Sequence, residues 1–200
     1  TWDGQNDSAA TEAHASFEAF AAPVAVTGAL HLSKVFHHLA RVLPPDAIVC
    51  NGAGNYSGWI HRFYRFRSLA TQLAPTSGSM GYGLPAAVMA KRVHPGRAVV
   101  CFAGDGDFQM NCQELGTAMQ AGAQPIVLII NNGIYGTIRA HQERNYPARV
   151  SGTSLENPDF VALAKAYGFH AERVEATQDF AAAFERALNS ATGAVLDIAI

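Results

Sequence analysis

Charge is scarce in this chain. Lys and Arg number 14 and Asp and Glu 16 in 200 residues, for a formal net charge of −2. Without a basic excess there is no electrostatic footprint for nucleic acid or for an anionic membrane surface, so neither is expected as a partner. Cysteine is equally sparse. The three thiols, Cys50, Cys101 and Cys112, are too few for a disulfide framework. Cys50 and Cys101 lie in apolar, strand-like runs, which points to buried reduced thiols in a cytoplasmic protein. Long apolar runs are missing as well. The longest strictly aliphatic stretch, Ile126 to Ile130, is far short of a membrane span. No basic segment followed by an apolar one opens the chain, so no secretory signal is read. Methionine is absent until Met80, and the last residues, Asp197-Ile198-Ala199-Ile200, read as the end of a core strand. The expectation is a domain processed or cut from something larger.

What is present is apolar content, 49% of residues, enough for one sizeable core. Residues 1 to about 25 are rich in Ala, Ser, Asp and Glu without a clear period and read as a linker or arm, with Trp2 and Phe17 free to dock elsewhere. From Thr27 on, helical and strand patterns alternate. Thr27 is placed to cap a helix carrying Leu30, Val35, Leu39 and Leu43, which Pro44-Pro45 stops. A strand at Ala47–Cys50, a loop at Gly52–Gly58, a helix near Trp59–Tyr64 and a weak strand near Leu69–Leu73 follow. Residues 82–92 are helical, His94-Pro95-Gly96 turns the chain, and Ala98–Ala103 is a strand. Phe108, Cys112, Leu115 and Met119 recur at helical spacing and read as a core stripe. Asn157-Pro158 reads as a helix N-cap with proline behind it, and Gly168 as that helix's end. Strand Ala171–Val174, helix Thr177–Leu188 and strand Ala194–Ile198 close the pattern. Alternation of this kind predicts a doubly wound α/β domain over 26–200, with about six parallel strands and helices on both faces.

The feature that carries chemistry is Gly104-Asp105-Gly106, separated from Asn131-Asn132 by residues 107–130, which read as one helix and one buried strand. In a parallel sheet that spacing returns both ends to the same edge, where ligands bind in such folds. One carboxylate and one amide oxygen then face one point. Hard oxygen donors suit Mg²⁺ or Ca²⁺, and a helix start behind glycines suits a phosphate. A helix terminus stabilises an anion by only about 0.3–2 kcal/mol, so a divalent cation must do most of the neutralising of a buried diphosphate.

The pattern resembles the thiamine diphosphate (ThDP)-dependent enzymes. The flanking text, Ala103 to Phe108 and Asn131 to Gly136, is similar to the acetolactate synthase and benzoylformate decarboxylase branch, and the similarity runs from about Val26 to Ile200. The resemblance implies the C-terminal diphosphate-binding domain, with thiamine diphosphate and Mg²⁺ as cofactors. It implies that Asp105 and Asn132 give side-chain oxygens, and Ile134 its carbonyl, to the metal. Gly104, Gly106, Asp107 and Tyr135 flank those ligands and are assigned to the cofactor. Ala53, Gly54, Asn55 and Tyr56, in a glycine-bearing loop that lacks the third glycine of a dinucleotide fingerprint, correspond to the diphosphate end. Relatives often carry Gln and His at the positions of Asn55 and Tyr56, and Ser or Ala at that of Asp107. Asp107 is expected to cap the helix or to face the metal's waters, with capping the preferred reading. The Gly78 carbonyl would accept from the cofactor's aminopyrimidine, and Met80 would prop its bent shape. His141 stands where acetolactate synthases often carry Trp.

The activity implied is a ThDP-dependent lyase or transferase acting on a 2-oxo acid, by decarboxylation or carboligation. The activating glutamate would come from a pyrimidine-binding domain absent here, in a homodimer or homotetramer. No catalytic residue is assigned in this chain, and alone it is expected to be inactive. Three alternatives are a natural small subunit of a two-chain decarboxylase, a non-catalytic nucleotide-binding module, and a family member that has lost activity. Adjacent His37-His38 face different ways on a helix and make a poor metal pair. Arg62, Arg65 and Arg67, interleaved with aromatics, read as a subunit interface or channel wall.

Overall fold

Among the described residues, four apolar stretches form the centre of the molecule, buried on both faces as inner parallel strands are, and two shorter or more polar strands flank them. A computed structural model describes residues 5–24 and 26–200. The strands are β1 (Ile48–Asn51), β2 (Gln72–Leu73), β3 (Val99–Gly104), β4 (Ile126–Asn131), β5 (His170–Val174) and β6 (Ala194–Ala199). They form one sheet in the order β2-β1-β3-β4-β6-β5, and every pairing is parallel. The expected fold class is the one observed.

Alternate strand residues feed two cores. One face packs Val49, Val100, Phe102, Leu128 and Leu196 against helices α2 (Leu32–Val42), α3 (Ser57–Phe63) and α9 (Thr177–Leu188). The other packs Cys50, Cys101, Val127, Ile129 and Val195 against α4 (Gly83–Val93), α5 (Asp105–Gln109), α6 (Glu114–Ala121) and α8 (Phe160–Ala166). Cys50 and Cys101 face each other across neighbouring strands as free thiols, and burial pushes the Cys50 thiol up to about 12. Leu39 on α2 is fully buried among aromatic neighbours. Leu39→Ala there would cost about 2–5 kcal/mol.

Several local expectations shift. The first core helix begins at Leu32, not near Thr27, and its N-cap is His31, whose N–H donates to Thr177 Oγ1 at 2.7 Å. That long-range acceptor replaces the local cap. Residues 5–20 of the expected arm form a helix, α1 (Gln5–Phe20), built from strong helix formers such as Ala, Glu and Gln. Arg62 and Arg65 hold it to the domain. Their guanidinium carbons lie 4.3 Å from the Phe20 ring centroid and 4.5 Å from that of Phe17, and Arg65 pairs with Glu18 at 2.7 Å. Arg67 donates to the Leu43 carbonyl. The basic-aromatic stretch therefore binds the chain's own segments. Trp2 lies outside the described residues.

The single helix expected after Asp107 is two, α5 and α6, broken at 110–113. Short-range bonds from Met110 and Asn111 N–H tighten the break, and Asn111 Nδ2 donates to the Gly81 carbonyl at 2.7 Å. The stripe is core in both pieces: Phe108 and Leu115 are buried, with Cys112 and Met119 packed against them. Asn157 is not a helix cap. Asp159 caps α8, accepting from the Ala162 N–H at 2.9 Å. Gly168 ends that helix as expected, with φ at +88°. His37 bonds the Ala21 carbonyl while His38 lies edge-on to Phe180 and Phe184, so the pair does diverge.

Candidate functional site

Connections leave β1 and β3 for opposite faces of the sheet, to α3 on one side and α5 on the other. Between them, at the carboxyl ends of the strands, a crevice must open. It does. Its wall comes from the loop after β1, the start of α5, the loop after β4 and α7 (Gly136–Asn145). Every residue singled out from the sequence lines it except Gly78: Ala53, Gly54, Asn55, Tyr56, Met80, Gly104, Asp105, Gly106, Asp107, Asn132, Ile134 and Tyr135. Gly78 lines an adjoining pocket that shares Gly54, Asn55 and Met80 with the first. His141 sits exposed on α7, its Nδ1 2.5 Å from Arg144 Nη2.

Asp105 is the first residue of α5 and only 3% exposed. Its Oδ1 accepts from the Gly106 N–H at 2.9 Å, and its Oδ2 from the Gly133 N–H at 2.7 Å and Asn157 Nδ2 at 2.8 Å. A carboxylate offers about four lone-pair directions, so one remains, on Oδ1. Asn132 Oδ1 accepts from the Ile134 N–H at 3.1 Å and is otherwise exposed. Ile134 faces Ser154 across a short antiparallel bridge closed by Leu155 N–H to Gly133 O and Tyr135 N–H to Thr153 O. In such a non-bonded pair the Ile134 N–H and carbonyl point away from the partner strand, which leaves the carbonyl available. The donor set is thus one carboxylate, one amide oxygen and one peptide oxygen, the hard-oxygen chemistry that suits Mg²⁺ and Ca²⁺. Among the described residues no three His, Cys, Asp or Glu side chains converge as a metal cluster.

Among the described residues no Lys or Arg lines the cleft. A polyanion held there would meet backbone N–H groups and neutral side chains from these residues, and a metal would have to oppose most of its charge. Because α5 has five residues, its dipole contributes little, and the burden falls on the metal more heavily than one continuous helix would imply. Close backbone approach is built in at Gly106, where a Cβ would meet Tyr135 Cε1 at 2.5 Å.

Asp107 is just as buried, and both its oxygens are engaged by the loop after β1 and the turn before α4. It accepts from the Tyr56 hydroxyl and the Gly81 N–H, with further help from the Gly104 N–H, the amide of the helix N-cap. The capping expectation therefore covers only part of its role. It ties together three segments: the loop after β1, the turn before α4 and the start of α5. Burial pushes its carboxyl above the ordinary carboxylate range, opposed by those hydrogen bonds, and burial with the Asp107 charge pushes the Tyr56 hydroxyl up. Tyr56 and Asp107, two of the side chains that depart from the resembled pattern, are partners of each other.

Sequence reading missed three polar residues. Asn157 bridges Asp105 and Asn131 and accepts from Gln109 Nε2 at 2.9 Å. Thr137 Oγ1 accepts from the Asn55 N–H at 3.1 Å and donates to Asn55 Oδ1 at 2.9 Å, fastening α7 to the loop after β1. Buried Asp197 accepts from Asn131 Nδ2 at 2.9 Å. Only the Asn-Pro spelling flagged Asn157, and it pointed to a cap.

Fold and cleft define a class: a doubly wound domain whose switch-point crevice combines oxygen donors with glycine backbone and carries no cation of its own. Comparison with known proteins gives the family. The model of the thiamine pyrophosphate enzyme, C-terminal TPP binding domain, matches residues 52–198, and the chain belongs to that family. It is 38% identical to an acetolactate synthase of Arthrospira platensis over 158 residues, 78% of this chain and 27% of the relative. It is 32% identical to the acetolactate synthase isozyme 2 large subunit of Escherichia coli (strain K12) over 174 residues, 86% of this chain and 32% of that one. A solved structure, the thiamine diphosphate-dependent 4-hydroxybenzoylformate decarboxylase of Rhodococcus jostii RHA1, superposes with a TM-score of 0.81 at 29% identity. The alignment covers 89% of this chain and 34% of that one. The chain thus spans about a quarter to a third of the length of these relatives. Among the described residues no helix is long and apolar enough to cross a membrane.

Proposed function

We propose that this domain holds the diphosphate of thiamine diphosphate through Mg²⁺, as one half of a 2-oxo acid decarboxylase or carboligase of the acetolactate synthase type. The observation that carries the reading is Asp105. It is a buried carboxylate with one lone pair left, beside Asn132 and a free Ile134 carbonyl, in a cleft without any Lys or Arg. Asp105, Asn132 and the Ile134 carbonyl would hold the metal, which would supply the positive charge that neutralises the diphosphate. The Ala53–Tyr56 loop and Gly104–Gly106 would approach the phosphates closely. Met80 would support the bend of the cofactor, and the Gly78 carbonyl would accept from its amine. Tyr135, packed over Gly106, shields the phosphate end from water.

When bound, thiamine diphosphate supplies a stabilised carbanion at its thiazolium carbon. This chain's residues bind and orient; no acid or base among them is assigned a proton. The activating glutamate would belong to a pyrimidine-binding domain of the same or a neighbouring subunit, and a neighbouring one would make the working unit at least a homodimer. The isolated chain is expected to turn over no 2-oxo acid, and turnover by it alone would refute the composite site.

Calorimetric titration of thiamine diphosphate into the chain, with Mg²⁺ and then with excess EDTA, tests the reading. Binding that EDTA abolishes is expected. Equal binding with and without metal, or metal-independent binding of ADP or NAD, would replace it with a nucleotide-binding module.

A further inference from the structure

Behind Asp105 runs a row of polar side chains that the metal-binding reading leaves unexplained. Asn157 Nδ2 donates both its hydrogens, to Asp105 Oδ2 at 2.8 Å and to Asn131 Oδ1 at 2.9 Å. Asn131 Nδ2 donates to Asp197 Oδ1 at 2.9 Å, and Arg173 Nη1 lies 3.4 Å from Asp197 Oδ2. Gln109 Nε2 donates to Asn157 Oδ1 at 2.9 Å. The row crosses β5, β6, β4 and the loop before α8 to reach the first turn of α5.

Its direction is over-determined. Both terminal groups are carboxylates, which accept only when ionised. Asp197 obliges the Asn131 amide to present its NH₂, so the Asn131 oxygen must turn to Asn157. Asp105 obliges Asn157 to present its NH₂ as well, and the Asn157 oxygen then turns to Gln109. Flipping Asn157 would set oxygen against oxygen at both Asp105 and Asn131, and flipping Asn131 would set oxygen against Asp197 and NH₂ against the NH₂ of Asn157. One Asp105 oxygen is thereby saturated by Gly133 and Asn157, while the other keeps its free lone pair toward the cleft. The same row fixes Asn131, the residue immediately before Asn132.

We propose that Asn157 is a positioning residue. It holds the Asp105 carboxylate in the one orientation that offers Oδ1 to a metal, and Asp197, through Asn131, keeps Asn157 facing it. This rests on the metal-diphosphate reading of Asp105. Partners that orient a ligand from behind commonly shift metal affinity 10- to 100-fold when removed.

The test is Mn²⁺ titration of the chain in the presence of inorganic pyrophosphate, followed by electron paramagnetic resonance, with thermal unfolding recorded in parallel. Asn157→Ala should weaken Mn²⁺ binding about 10- to 100-fold. Asn157→Asp keeps the shape but presents an oxygen to Asp105, and should weaken it at least as much. Gln109→Ala loosens the outer hold on Asn157, and with it a long bond of 3.5 Å from Gln109 Nε2 to the Asp105 main-chain carbonyl; it should cost about threefold, and it supplies the reading if Asn157→Ala does not fold. Wild-type binding together with unchanged affinity in a folded Asn157 variant, or in Gln109→Ala where that variant is the reading, overturns the positioning role alone. Failure of the wild-type chain to bind Mn²⁺ with pyrophosphate overturns the metal site and this role together.

Discussion

Asp105 and Asp107 stand two residues apart in one short helix, and each is 3% exposed, yet they belong to different regions of the molecule. On the Asp105 side, toward β4 and β6, the partners are peptide N–H groups and amides, and one lone pair stays open. On the Asp107 side, toward β1 and α4, the partners are a tyrosine hydroxyl and the Gly81 and Gly104 amides, and both carboxyl oxygens are engaged. Burial alone does not say what a carboxylate does. The direction of its unused lone pairs does: on the proposed reading the first side would hold a cation, while the second ties together the loops that form the cleft.

The largest effect should come from the open side. Asp105→Asn keeps the shape and removes the charge, and Mg²⁺-dependent affinity for thiamine diphosphate should fall by at least ~100-fold in calorimetry. An affinity within a few-fold of wild type would erase the distinction between the two sides.

On the bracing side, Gly52→Ala comes next. Its Cβ would lie 2.2 Å from Asp107 Oδ2, so the carboxylate must move and its hydrogen bonds break. A loss of about 3 kcal/mol in denaturant unfolding is expected from overpacking and orphaned donors. Tyr56→Phe should cost less, about 1–2 kcal/mol, because Asp107 keeps its amide partners. A stability unchanged by Tyr56→Phe would show that the brace does not depend on the pair.

The smallest effect belongs far from the cleft. On β5, Glu172 accepts from Arg186 Nε at 2.7 Å and from His170 Nε2 at 2.7 Å, and Arg186 foremost draws its carboxyl below the ordinary range. A depressed folded value means that the stabilisation is present above the ordinary glutamate pKa, 4.5, and is lost as pH falls through the folded value. Glu172→Gln should therefore lower stability by less than about 1 kcal/mol at neutral pH, and by progressively less in acid. Melting curves of both proteins between neutral and acid pH check this, and ligand affinity should not change.

The strands were legible because burial on both faces writes an unbroken apolar run, as in Ile126–Ile130. Asp105, Asn131-Asn132 and the glycines beside Asp105 were legible because glycines and oxygen donors cluster at strand ends, whereas Ala53, Tyr56, Met80 and Tyr135 came from the family resemblance; of the residues assigned to the cofactor and metal, all but Gly78 meet in the cleft. What stayed hidden depends on neighbours distant in sequence. Asn157 spells a helix cap locally, and only the fold brings it to Asp105, 52 positions away. Tyr56 and Asp107 lie 51 positions apart, so their departures from the resembled pattern could not be read as one pair. The break between α5 and α6 answers to Asn111 reaching Gly81. The first helix carries no periodic apolar face, because two arginines of α3 and its exit hold it in place of a hydrophobic stripe.

The division between the two carboxylates is tested most directly by measuring Mg²⁺-dependent thiamine diphosphate affinity in Asp105→Asn and Asp107→Asn side by side, with unfolding free energies for both. The predicted result is a loss of at least ~100-fold for Asp105→Asn. Asp107→Asn should stay within about tenfold of wild type while losing about 1–3 kcal/mol of stability. Equal losses of affinity in the two variants, or metal-dependent binding that survives Asp105→Asn, would contradict it.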